Sequence, residues 1–171
     1  MAQLLLPDGD VSVFNFSIGC AGSTTNIYTA IDDNVSSPGS DFITDNDFLA
    51  SSVYECSMEN PASTPGAGSS FLKVNASVTF GGPETVTVAV YSNSSLVQSF
   101  TQSVTTTQAT FTKEITNSIP NYNTLEVRLG PGGSTNCQVQ YFAVNLEVPD
   151  AAGGGGGEGP KLNPEAFLMF L

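Results

Sequence analysis

The side chains with the most obvious chemical potential are carboxylates in close pairs: Asp8 with Asp10, Asp32 with Asp33, and Asp45 with Asp47. A pair of carboxyl groups can hydrolyse a glycosidic bond as acid and base. Each pair, however, adjoins Gly, Asn or Pro, the setting in which aspartate bonds to nearby backbone in a turn, and turn formation is the simpler reading. Oxygen ligands from Asp8, Asp10, Asp32, Asp33 and Asp41, brought to one end of a fold, would instead suit calcium. The chain has no histidine, which removes every nucleophile that relies on a histidine base, and it carries no G-x-S-x-G elbow or phosphate-binding loop. Its three cysteines, Cys20, Cys56 and Cys137, are too widely spaced to resemble a zinc site or a disulfide framework and read as reduced core filler. Neither enzymatic activity nor a cofactor is expected.

Binding groups are scarcer still. Sugar-binding surfaces usually present an aromatic ring, and the chain has no Trp and five Tyr. Among these, Tyr122 in Asn-Tyr-Asn lies in an evident loop. At the other extreme of polarity, Phe167, Leu168, Met169, Phe170 and Leu171 end the chain as five consecutive apolar residues. Burying them would yield roughly 8–15 kcal/mol gross, so this segment reads as a docking element for a partner. Folding back onto its own domain is the plainer alternative, which the long linker before it disfavours.

Sixteen acidic residues oppose four basic ones, Lys73, Lys113, Arg128 and Lys161, for a net charge of -12. Such a chain repels phosphate backbones, so nucleic acid is not an expected partner. No apolar run approaches the roughly 20 residues of a membrane helix, nor does Leu4-Leu5-Leu6, ended by Pro7, make a signal-peptide core.

The elements that would position these groups are strands. Short β-branched and aromatic runs alternate with Gly, Pro, Asn and Asp clusters. Residues 11–18 form a first run, 27–31 a second, 41–44 a third and 49–58 a fourth, before the loop NPASTPGAGSS at 60–70. Residues 71–80 alternate with the period of a strand that has one wet face. A hairpin follows over 85–104, turning at Ser92-Asn93-Ser94. Further strands are expected around Ala109–Ile115, at 125–129 and at 139–148, the last apolar on both faces as a doubly buried central strand would be. A short helical turn fits near Ile119-Pro120. Leu4 to Leu6 read as an edge strand in preference to a second docking arm. The expected fold is therefore all-β, an antiparallel, jelly-roll-like sandwich over residues 1–149. A Gly-rich linker occupies 150–159 and the hydrophobic docking segment 160–171.

In order, the segments LLLPDGDVS (4–12), YTAIDD (28–33), DFIT (41–44), TVTVAVYSNSSLVQSF (85–100), NTLEVRL (123–129) and VNLEVP (144–149) resemble a β-sandwich family of bacteriophage structural proteins. Its members open with R-P-x-x-D-V-S and close with a strand reading L-E-V-P. Leu6 stands here where that family has Arg, and Phe14 and Phe16 stand near the place of its Trp. The resemblance implies a virion role, as a capsid decoration (cement) protein or a head or tail accessory. The apolar C-terminus inclines this toward a cement protein on the capsid exterior, assembled in the host cytoplasm and bound to the major capsid protein, with a homotrimer as the expected oligomer. The alternative is a tail or fibre module that binds a host surface glycan.

Overall fold

The computed structural model describes residues 2–20, 22–45, 52–130 and 138–151. The linker from residue 152 onward, the segment 160–171 with Phe167, Leu168, Met169, Phe170 and Leu171, and also Asp47 and Cys137, lie outside the described residues.

The described chain is an antiparallel β-sandwich of jelly-roll type. A five-stranded sheet has the order β2 (Pro7–Phe14), β5 (Val53–Met58), β10 (Leu125–Leu129), β7 (Glu84–Ser92), β8 (Ser95–Val104). A six-stranded sheet has the order β3 (Phe16–Ile18), β4 (Ile43–Asp45), β11 (Val139–Pro149), β6 (Ser70–Val78), β9 (Ala109–Ile115), and β1 (Ala2–Leu5) pairs with the end of β11. Alternate residues of each strand point inward, as the two-residue period requires. Val86, Val88 and Val90 of β7 therefore meet Leu125, Val127 and Leu129 of β10 in one buried layer, facing Leu72, Val74, Ala76 and Val78 of β6. At the centre, the Phe16 ring lies 6.1 Å from that of Tyr54 and 6.4 Å from that of Tyr141, both tilted. That is the geometry aromatic quadrupoles favour.

Two irregularities explain runs whose alternation is imperfect. In β11 the register against β6 shifts between Tyr141 and Ala143, so the inward set changes phase from Val139 and Tyr141 to Val144, Leu146 and Val148. A bulge of this kind makes a strand look apolar on both faces. Its outward residues are covered as well: Phe142 stacks on Phe42 at 5.6 Å, and the Asn145 carboxamide accepts from Val35 N–H at 2.7 Å and donates to the Asp33 carbonyl at 2.9 Å. The run at 11–18, expected as one strand, is divided between the sheets. Asn15 adopts a left-handed φ of 61° between β2 and β3, a conformation asparagine tolerates better than most residues.

The run at 27–31 is not a strand. It forms a 3₁₀ turn, Ile27–Ala30, because its first amides are claimed by a side chain from β2, described below. The cysteine reading also needs correction: Cys20 is disulfide-bonded. Spacing along the chain says little about proximity across a sandwich. Cys56 is a free thiol, buried in the core, where loss of solvation pushes its pKa well up.

Candidate functional site

The structure distributes the expected calcium ligands among unrelated tasks. Asp10, inward from β2, accepts hydrogen bonds from Ile27 N–H at 3.0 Å, Tyr28 N–H at 2.9 Å and the Tyr54 hydroxyl at 2.9 Å. Its carboxylate thus holds the 3₁₀ turn and closes the polar end of a fully buried tyrosine. Asp8 accepts from the Ser57 hydroxyl at 2.6 Å, and Asp33 from Gly39 N–H at 2.8 Å. Asp32 is near Asp33 and Glu59; desolvation first, then these two charges, raises its pKa. Asp41 is exposed. Among the described residues no group of three or more His, Cys, Asp or Glu side chains is arranged to hold a metal ion. Asp8, Asp10 and Asp45 also lie in strands, where the sequence suggested turns.

A depression of about 490 Å³ lies at one end of the sandwich between residues 61–65 and 120–123. Both walls are built from loops that side chains pin in place. On one side the Gln3 carboxamide, carried on β1, donates to the Ser63 carbonyl at 3.0 Å and accepts from Ser63 N–H at 2.9 Å. Gly66 N–H donates to the Asp150 carbonyl at 2.9 Å. On the other side a 3₁₀ turn, Tyr122–Thr124, is capped by Asn121, whose side chain accepts from Asn123 N–H at 3.0 Å. The Ser92 hydroxyl donates to the Asn121 carbonyl at 2.8 Å, and the Thr124 hydroxyl to Asn93 Oδ1 at 3.0 Å. The β7–β8 hairpin turn therefore braces this wall.

Tyr122 is half-buried, its ring packed against the edge of the core. Among the described residues the Ser63, Thr64 and Tyr122 hydroxyls and the Asn123 carboxamide have no hydrogen-bond partner. Four neutral donor–acceptor groups and one aromatic ring thus share a cleft whose walls do not move without breaking several bonds. Tyr122 stands out in the sequence; Ser63, Thr64 and Asn123 do not, since loop composition alone gives no hint that these two loops face each other. The remaining tyrosines serve otherwise. Tyr54 and Tyr141 are core residues, the latter donating to the Gly130 carbonyl at 2.8 Å, and Tyr28 packs on the core from its turn.

A second surface feature lies on the outer face of the five-stranded sheet. Arg128 donates to Glu55 at 2.9 Å and to the Tyr91 hydroxyl at 2.9 Å, with its guanidinium carbon 4.3 Å from the Tyr91 ring centroid. The bond to Glu55 raises the Arg128 pKa, whereas desolvation, then the Glu55 charge, raises that of neighbouring Glu126. A depression of about 130 Å³ adjoins this cluster, bordered by Leu96, Thr87 and Ser99. Nothing in the sequence marks the arrangement, because its residues come from separate strands.

No protein-family model and no curated protein matches the sequence. Solved structures similar in fold include carbohydrate-binding modules. One, from Cellvibrio mixtus lichenase 5A in complex with cellotriose, is 10% identical, with 88% of this chain and 99% of that chain covered and a TM-score of 0.50. Another, a CBM35 from Paenibacillus barcinonensis, is 14% identical, with 86% and 97% covered and a TM-score of 0.48. At 10% identity the likeness to the Cellvibrio module shows a sandwich fold and nothing finer.

Proposed function

We propose that this chain is a non-catalytic glycan-binding module that uses the cleft between residues 61–65 and 120–123. The observation that carries the reading is the grouping of the Tyr122 ring with uncommitted hydroxyl and carboxamide groups of Ser63, Thr64 and Asn123 on pre-organised walls. Sugars present hydroxyls to such groups and C–H faces to aromatic rings, and a rigid cleft spares the entropy of ordering loops on binding. The jelly-roll fold, similar to that of the cellotriose-bound Cellvibrio module, supports the reading. The disulfide at Cys20 suits work outside a reducing cytosol.

A glycan array probed with the intact chain tests this. Tyr122→Ala and Asn123→Ala are each expected to weaken binding about tenfold, the equivalent of about 1.4 kcal/mol; Asn123→Ala should leave melting unchanged, whereas Tyr122→Ala should also lower it, because the ring packs on the core. Lack of binding to any glycan, or full binding by both variants, would refute the reading.

A second reading, decoration of a phage shell, draws on the ordered segments between residues 4 and 149 that resemble phage structural proteins and on the apolar run 167–171. Its partners would be the major capsid protein or other virion proteins, with the chain as a homotrimer on the capsid exterior. Quantitative mass spectrometry of purified particles tests it. A copy number near that of the coat protein supports shell decoration; a few copies per particle would favour a glycan-binding tail accessory, and absence from particles refutes both virion placements.

A further inference from the structure

Resting on the cleft reading above, we infer that the ligand is a neutral glycan, recognised without any ionic contact or bridging metal ion. None of the chain's twenty Lys, Arg, Asp and Glu residues falls within 61–65 or 120–123, which read PASTP and PNYN. Every group free to meet a ligand there is an uncharged hydroxyl or carboxamide: Ser63, Thr64, Tyr122 and Asn123. A uronic acid or sulfated sugar would need a cation to offset the cost of moving its charge out of water, and the walls supply none.

Among the described residues, Lys73 and Arg128 are already committed to carboxylates. At a net charge of -12 the chain as a whole repels a polyanion. Lys73 is paired with Glu147. The depression that does border a cation lies on the outer face of the five-stranded sheet, and its Arg128 is already held by Glu55 and by the Tyr91 hydroxyl, both at 2.9 Å. The Arg128 charge is already offset by Glu55, a carboxylate whose side chain is only 8% exposed, which would repel an acidic sugar placed there. A calcium bridge, the other way to tie a carboxylated sugar to an acidic protein, lacks a cluster of three acidic or thiol ligands among the described residues.

The test is titration calorimetry of the intact chain against cellohexaose, xylohexaose and mannohexaose, and against a galacturonic acid hexamer and a heparin hexasaccharide. At least one neutral oligosaccharide is expected to bind, with Kd changing less than about twofold between about 20 and about 500 mM sodium chloride, since screening acts only on charge. Excess chelator should leave that Kd unaltered, and each acidic oligosaccharide should bind at least about tenfold more weakly. Asn123→Lys, at an exposed position, should narrow or reverse this preference, while Leu96→Gln, on the outer sheet face, should leave neutral binding unchanged.

Tighter binding of an acidic oligosaccharide, loss of binding with chelator, or loss with Leu96→Gln but not with Asn123→Lys would overturn the inference while leaving glycan binding itself intact. Failure of both ligand classes to bind would instead bring down the cleft reading and this inference with it.

Discussion

Removing the Asp10 carboxylate tests whether that residue is a structural clamp. Asp10→Ala leaves three donors without their acceptor: the amides of Ile27 and Tyr28 and the hydroxyl of Tyr54. Each orphaned buried donor costs about 1–3 kcal/mol. Ile27 is buried and Tyr28 half-buried, but truncating the carboxylate leaves space for water beside their amides, so they fall at the low end. The Tyr54 side chain is fully buried and its hydroxyl belongs near the middle of that range. A total loss of about 4 kcal/mol follows, or a melting temperature lower by about 8–16 °C for a domain of roughly 150 residues. Asp10→Asn keeps one acceptor oxygen but turns a donor toward Ile27 N–H or toward the other two groups, and should cost about 1–2 kcal/mol. Urea unfolding of the three proteins, followed by tyrosine fluorescence with and without added calcium, measures these differences. A loss below about 1 kcal/mol for Asp10→Ala, or a calcium-induced rise in wild-type stability that this variant abolishes, would refute the clamp and restore Asp10 as a metal ligand.

Other consequences are smaller but sharp in direction. The hairpin turn places Asn93 at φ 51° and Ser94 at φ 56°; Ser94→Gly should stabilise the protein by about 0.5–1 kcal/mol, read as a higher urea midpoint, since glycine occupies that region without strain. Asp32 has a raised pKa in the folded state, so its ionisation opposes folding: the penalty is absent below the ordinary aspartate value of 3.8 and develops as pH rises from there through the folded pKa. Asp32→Asn should therefore raise the melting temperature slightly at pH near 7 and leave it unchanged below pH of about 3; a gain that persists in acid would contradict this. Cys56, buried and with its pKa pushed up, should resist iodoacetamide in the native protein and react fully only in denaturant, as peptide mass mapping would reveal. Rapid native labelling would place the thiol at the surface.

Much of the scaffold is legible along the chain because strand formation leaves a local record. The alternation in β6 and in the β7–β8 hairpin turning at Asn93-Ser94 can be found by counting every second residue, and the apolar run at Leu4 and Leu5 marks the edge strand. Where a long-range contact overrules the local pattern, counting fails. Residues 27–31 look like a strand until Asp10, seventeen positions before Ile27, takes their first amides. The run at 11–18 looks continuous, although Asn15 turns it from one sheet into the other.

The candidate cleft follows the same division. Composition and periodicity suffice to show that the fold is a sandwich, that histidine-based chemistry is absent, that the molecule is strongly acidic, and that Tyr122 sits in a loop. These are properties of composition and of a two-residue period, which need no knowledge of what lies across the core. Tertiary structure alone decided that Tyr122 faces Ser63 and Thr64, that Gln3 and Ser92 hold the opposing walls, that the aspartates are dispersed as clamps, and that Arg128 is spent on Glu55. Those groups are brought together by strand order and register, and strand order is chosen by the burial of the whole core.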